Sequence, residues 1–475
     1  MRPKKIGIEL KNNSQMKYIS TRNGLKEFDF TEVFIKGLAD DGGLFVPKAI
    51  PALSEKELLR LSKLNYKDLA KEIIFLFCNE TISKDELANI VDKSYSKFNE
   101  KNVVKITDIG EHKILELYHG PTLAFKDIAM QFIGHLYDHY IKNFKKKINV
   151  VVATSGDTGS AAIDAIKGKD KMNIFVLHPN NKVSSVQRKL MTTVKDKNVF
   201  NIALDGNFDD CQNLVKSMFA DSKFSNSINM SGVNSINWAR IVAQTVYYFF
   251  SYFQVCQLNE KINFSVPTGN FGDVYAGYLS KKIGLPIGKL IVATNQNDIL
   301  HRAISKGQYE AHSVVETLSP SMDIQVASNF ERLIYDVNNG NSDKTNKIMQ
   351  SIKKEKKYLI EEKELKEIQK NFISESISEQ ELLSCIKKVY ENHKIIIDPH
   401  TAVGLGALEK INLAGKKIVL STAHPCKFPE AIKKAINIKC ELPEKLNYIL
   451  NEKENFDVIN NDIEEVKKYI LNKLI

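Results

Sequence analysis

At 475 residues, with 43% hydrophobic and 26% charged side chains, the chain has an ordinary globular composition and room for about two or three domains. No run of about 18 apolar residues occurs, so a transmembrane helix is not expected. The net charge of +10 is spread along the chain, and the clusters Lys145-Lys146-Lys147 and Lys353-Lys354 with Lys356-Lys357 carry no interleaved aromatics. These features argue against a nucleic-acid surface and suit an enzyme with phosphorylated, anionic ligands.

The residues 1–15 are polar and basic without an apolar signal core. They read as a disordered extension, with Met16 opening the regular sequence. Residues 18–22 predict a short strand before a turn at Asn23-Gly24. Thr31 is expected to cap a helix through Leu38, and Ser54 with Glu57 has capping-box spacing. Residues 16–100 thus form a small, mostly helical entry domain. The stretch Leu117-Tyr118-His119-Gly120-Pro121-Thr122-Leu123-Ala124-Phe125-Lys126-Asp127 follows, opening a helix whose apolar residues recur at Ala129, Phe132, Ile133, Leu136 and Tyr140. Lys126 sits on the edge of the buried face. It is either a lysine that snorkels to water or a desolvated amine kept partly neutral, ready to act as nucleophile or base.

From residue 102 onward strands alternate with helices, the mark of a parallel α/β layout with helices on both faces of the sheets. Strands are expected at 148–153, 174–177, 200–204, 262–266, 290–293, 395–397 and 418–420. Helices are expected at 160–166, 236–257, 274–283, 401–411 and 430–436. The lysine-rich residues 336–393 read as a helical insertion, and 441–475 as an amphipathic helical tail. The expected division is an extension at 1–15, the entry domain at 16–100, an α/β domain at 101–258, a second at 259–440 containing the insertion, and the tail.

Three of the strand–loop–helix units have small residues in the loop. Helix starts leave amides unpaired and carry a positive dipole end, which suits anions. The loop Thr268-Gly269-Asn270-Phe271-Gly272-Asp273 is a phosphate cradle or a tight turn; it has neither the Walker A lysine nor the G-x-G-x-x-G spacing. The loop Ser155-Gly156-Asp157-Thr158 offers hydroxyls and amides for a carboxylate, or is an ordinary helix cap. Thr422 supplies a neutral hydroxyl beyond a strand end, where ligands of parallel sheets gather. With Lys126, these loops offer what pyridoxal 5'-phosphate and an amino acid require. The six cysteines form no C-x-x-C pair, consistent with reduced thiols in a cytoplasm. His135 and His139 are four apart without an intervening glutamate, so no metal site is expected.

These residues, in order along positions 18 to about 436, resemble the threonine synthase family, specifically its longer bacterial and fungal branch. The resemblance is carried by Tyr18-Ile19-Ser20-Thr21-Arg22, Gly37-Leu38-Ala39-Asp40-Asp41-Gly42-Gly43-Leu44-Phe45-Val46-Pro47, the His119–Asp127 run, Ser155–Gly159, Asn234-Ser235-Ile236-Asn237-Trp238-Ala239-Arg240, Gly269–Asp273 and Thr422. It implies the tryptophan synthase β-like fold of type II pyridoxal phosphate enzymes. It also implies conversion of O-phospho-L-homoserine and water to L-threonine and phosphate, by γ-elimination and β-addition of water. Lys126 would hold the cofactor covalently and move the substrate's protons. Gly269, Asn270, Phe271, Gly272 and Asp273 would bind the cofactor phosphate through their amides, with the Asp273 side chain turned away to cap the helix. Thr422 would meet the pyridine nitrogen, and Ser155 and Thr158 the substrate carboxylate. Arg240 would anchor the substrate phosphate or serve in a structural salt bridge. His119 would join the pocket or hold its turn. Asp157 stands where many relatives carry asparagine near the cofactor's phenolic oxygen, and two anions there would repel. The resemblance further implies a cytoplasmic monomer without membrane or nucleic-acid partners. The other readings are a serine/threonine dehydratase or cysteine synthase, a phosphohomoserine phospholyase, and a non-catalytic binder of phosphorylated ligands.

Overall fold

In the computed structural model, residues 16–142 and 146–474 are described; the expected extension at 1–15 lies outside them. The apolar runs form strands that are buried along their length, as parallel strands with covered faces must be. One six-stranded sheet runs in the order Phe372–Ser376, Ile287–Thr294, Ile262–Pro267, Lys416–Ser421, His112–Glu116, Lys105–Ile109. Its pairs are parallel except for the last, an antiparallel hairpin. A five-stranded parallel sheet runs Asp457–Asn460, Val199–Asp205, Met172–Pro179, Ile148–Ala153, Met230–Ser231.

The sheets do not follow chain order. Lys105–Ile109 and His112–Glu116 precede the strands of the five-stranded sheet yet pair in the six-stranded one, and Asp457–Asn460 returns from the tail to the edge of the five-stranded sheet. The expected boundaries at 259 and 441 therefore cut across the strand pairing, whereas that at 101 does not. Within residues 336–393, helices Ser342–Glu355, Glu362–Asn371 and Glu379–His393 alternate with strands, and Phe372–Ser376 is an integral edge of the larger sheet. The segment is thus not wholly helical. Residues 395–397, expected as a strand, form no strand, because the place beside Ile287–Thr294 is filled by Phe372–Ser376. The tail is a 3₁₀ segment Glu444–Leu450, the strand Asp457–Asn460 and the helix Ile463–Leu474.

The entry region holds helices Phe30–Lys36, Glu55–Leu61, Tyr66–Cys78 and Lys84–Ser94 beside the antiparallel pair Tyr18–Ser20 and Phe45–Pro47. Asp29, not Thr31, caps the first of these helices, in a reciprocal box with Glu32; Ser54 and Glu57 cap the second as expected. Helix Trp238–Val255 is apolar nearly all round and is buried from Trp238 to Tyr252. It joins the entry region to the sheets: Tyr66 packs edge-on against Phe250, and Trp238 against Tyr18 and Phe77. Helix Lys126–Tyr140 packs beside it with its first residue, Lys126, already buried. No described helix is long and apolar enough to cross a membrane.

Candidate active site

Lys126 opens its helix where the chain is pinned to the loop after strand Lys416–Ser421. The Phe125 amide donates to the Thr422 carbonyl at 2.8 Å, and Ala124 bridges to Ala423. Thr422 is buried beside the lysine in consequence. The Lys126 ammonium does not snorkel. Only 9% of the residue is exposed, and burial brings its pKa down to about 8; Asp157 opposes the shift, while Lys427 and Arg240 reinforce it. Neutral amine is therefore far more accessible near neutral pH than on an ordinary lysine, although the ammonium still predominates.

The loop after Ile148–Ala153 faces the same amine. Thr154 Oγ1 accepts the amides of Gly156 and Gly159 at 2.9 and 2.8 Å, which folds the loop and starts helix Asp157–Ile166 without a side-chain cap. The amides of Ser155, Asp157 and Thr158 have no partner among the described residues, and both hydroxyls of this pair of half-buried residues, Ser155 and Thr158, are free. Asp157 Oδ2 lies 3.8 Å from Lys126 Nζ. Its other oxygen accepts from Lys427 Nζ at 2.7 Å and from Gln187 at 2.8 Å. Burial opposes ionisation of Asp157, but the charges of Lys427 and Lys126 prevail and hold its carboxyl far below the usual range. Lys427 is wholly buried and also donates to the Thr122 carbonyl at 2.7 Å. It was not visible as a site residue in the sequence. The one signal is its place five positions after Thr422, on the short Pro425–Lys427 turn.

The glycine loop turns a row of amides to one side. Phe271 adopts the left-handed conformation (φ 64°) and helix Gly272–Ile283 begins without a side-chain cap. None of the amides of Gly269, Asn270, Phe271, Gly272 and Asp273 has a partner among the described residues, so their donors await an anion. Side chains have no room here: a Cβ on Gly269 would sit 2.7 Å from the Ser321 carbonyl oxygen. Asp273 does turn away but does not cap the helix. Its Oδ1 accepts from Tyr247 and Tyr248 at 2.5 and 2.9 Å. Burial lifts its carboxyl to about 6 against those hydrogen bonds. The tyrosines thus hold the Asp273 carboxyl away from capping the helix and leave the amides free.

Arg240 is buried and has no carboxylate within ion-pair distance among the described residues, so the structural salt bridge is not found. Nη1 donates to the Val233 carbonyl at 2.9 Å, whereas Nε is buried with no partner. Burial lowers the guanidinium to about 10, against Tyr247. A buried donor left bare on a cation calls for an anion. His119 Nε2 lies 2.9 Å from Glu116 Oε2.

The parts fit pyridoxal phosphate: free amides where its phosphate would rest, a depressed lysine amine, and a cationic balance of Lys126, Lys427 and Arg240 against Asp157. A family model described as "Pyridoxal-phosphate dependent enzyme" matches residues 114–361. Fold and site thus define a fold type II pyridoxal-phosphate-dependent enzyme. Models for "Threonine synthase N terminus" and "Threonine synthase, C-terminal" match residues 17–95 and 401–470. Threonine synthase from Pseudomonas aeruginosa is 42% identical over 96% of this chain and 98% of its own length. That of Saccharomyces cerevisiae is 41% identical over 97% and 99%. The crystal structure of a PLP-bound threonine synthase from Brucella melitensis superposes with a TM-score of 0.93 at 40% identity, covering 97% of this chain and 99% of that one. The chain belongs to the threonine synthase family.

Proposed function

We propose that this protein converts O-phospho-L-homoserine and water to L-threonine and phosphate, with pyridoxal 5'-phosphate held on Lys126. The observation that carries the reading is the convergence on one buried amine of the uncapped 155–158 loop, Thr422 and, through Ser321, the Gly269–Asp273 nest. The amides of Gly269, Asn270, Phe271, Gly272 and Asp273 hold the cofactor phosphate. The Thr422 hydroxyl, being neutral, serves the pyridine nitrogen without protonating it. Ser155 and Thr158 bind the substrate carboxylate, and Arg240 Nε the substrate phosphate. The cofactor, when bound, supplies an electron sink that makes protons on the substrate's carbons removable. Lys126 Nζ takes those protons, and its lowered pKa keeps it competent near neutral pH. Lys427 cancels the charge of Asp157, which answers the repulsion expected between that carboxylate and the cofactor's phenolic oxygen.

The purified protein, given O-phosphohomoserine, is expected to release phosphate and threonine in equal amounts. Phosphate with 2-oxobutanoate would instead identify a phospholyase, and no turnover with no visible absorbance a non-catalytic binder. We further propose a cytoplasmic monomer, supported by the six unpaired cysteines for the compartment. Light scattering should return the mass of one chain; a dimer mass would overturn the monomer.

A further inference from the structure

Beside Lys126 stands a hydroxyl for which the sequence suggested no role. Ser321 lies on the short 3₁₀ segment Pro320–Met322, and its Oγ is 3.4 Å from Lys126 Nζ. That is the long end of hydrogen-bonding reach, a distance common for catalytic pairs before substrate draws them together. The main chain of Ser321 is fixed from two sides. Its carbonyl packs on Gly269, where no Cβ would fit. Its amide donates to His400 Nε2 at 3.2 Å. His400 Nδ1 in turn lies 2.9 Å from Asp398 Oδ1, and both residues are buried. Asp398 therefore fixes the tautomer with the proton on Nδ1, leaving Nε2 to accept.

This arrangement holds the backbone of Ser321 and leaves its hydroxyl unspent. Other buried serines on helices return their hydroxyls to a carbonyl in the preceding turn, as Ser94, Ser251 and Ser280 do. Ser321 Oγ accepts from Lys126 and donates to nothing among the described residues. The residue is half-buried, and its O–H remains available as a donor beside Lys126.

We propose that Ser321 is a further catalytic residue, the proton carrier between Lys126 Nζ and the water that adds to the substrate, with His400 and Asp398 as positioning residues. The proposal rests on Lys126 being the reacting amine. In the step, an O–H bond of water breaks, and the oxygen, with that bond's electron pair, bonds the substrate's β-carbon, whose π bond to the α-carbon breaks as its pair passes toward the electron sink. The proton goes to Ser321 Oγ, while the Ser321 hydroxyl proton goes to the lone pair of Lys126 Nζ. The hydroxyl is restored and the amine becomes an ammonium. The lysine is thereby recharged from the water side without moving from the carbon it serves.

The test is Ser321→Ala in the cofactor-loaded protein, with Ser321→Thr as the conservative control. Ser321→Ala is expected to keep the visible absorbance and a KM within about threefold. It should lose threonine formation about a hundredfold or more, the usual worth of a placed proton carrier. Phosphate release should fall far less, with the unhydrated four-carbon fragment leaving as 2-oxobutanoate and ammonia, so that phosphate exceeds threonine in the products; Ser321→Thr should restore the equal ratio. In the cofactor-free protein, acetylation of Lys126, followed by peptide mass spectrometry, should shift its pH midpoint downward in Ser321→Ala, since an acceptor for the ammonium is gone while Asp157, Lys427 and Arg240 remain. Equal phosphate and threonine at near wild-type rates in Ser321→Ala, or an unmoved midpoint, overturns the proposal. If the wild-type protein itself makes no threonine, it is the proposed function that fails.

Discussion

Lys126→Ala is expected to remove the visible absorbance and to lower threonine formation more than about a thousandfold, since one group is lost as both covalent anchor and base. Lys126→Arg should be as inactive: it keeps the charge and lacks a deprotonable amine. Retained turnover in the arginine variant would sink the base role. The same substitution makes a second, less intuitive prediction. The folded-state pKa of Lys126, about 8, lies below the ordinary lysine value. The folded, cofactor-free protein thus bears the cost of a buried ammonium fully below pH 8, and the cost fades as pH rises from there toward the unfolded value. Cofactor-free Lys126→Ala should therefore resist urea better than wild type at pH 7, with the gap closing above pH 8. A gap that widens with pH would show the lysine to be stabilised, not strained, by its site. This is the stability that an enzyme gives up to hold a reactive group ready.

What was legible in the sequence follows from what periodicity can carry. Ile148–Ala153 occurs at its expected bounds because an apolar run with both faces covered has few other uses. Gly272–Ile283 and Trp238–Val255 lie within two residues of expectation at each end. Phe372–Ser376 was not legible: Ser374, Glu375 and Ser376 carry no strand signal, and only the register against Val292, Ala293 and Thr294 makes them one. The apolar residues 395–397 mislead for the opposite reason, having strand composition and no edge to pair with. The motif loops were readable as loops, but their state was not. That Tyr247 and Tyr248 divert Asp273 from capping, or that Arg240 keeps a bare Nε, depends on residues brought together from separate elements. Asp157 was a puzzle in sequence because its partner, Lys427, lies 270 positions away with no motif to join them.

That pairing gives the second large effect, in Lys427→Met. The substitution roughly keeps the volume of the stem and deletes the ammonium that Asp157 Oδ1 and the Thr122 carbonyl share. Asp157 is then a buried carboxylate with only the Gln187 amide at 2.8 Å and Lys126 at 3.8 Å. Removing one partner of a buried pair costs about 3–5 kcal/mol, far more than the pair itself contributes. Chemical denaturation of the cofactor-free variant should show a loss of that order. Adding Asp157→Asn should recover most of it, since the double variant strands no charge; independent, additive losses in the cycle would refute the coupling. The change also reaches the reacting amine. Lys427 pushes the Lys126 pKa down and Asp157 pulls it up. With Lys427 gone only burial and Arg240 oppose the pull, and the pH midpoint of Lys126 acetylation should rise above about 8, whereas Asp157→Asn alone should lower it. Opposite movements from two halves of one ion pair are what a tuning role requires. Movement in the same direction would reduce the pair to packing, and the wholly buried Lys427 to a structural ion with no hold on the chemistry.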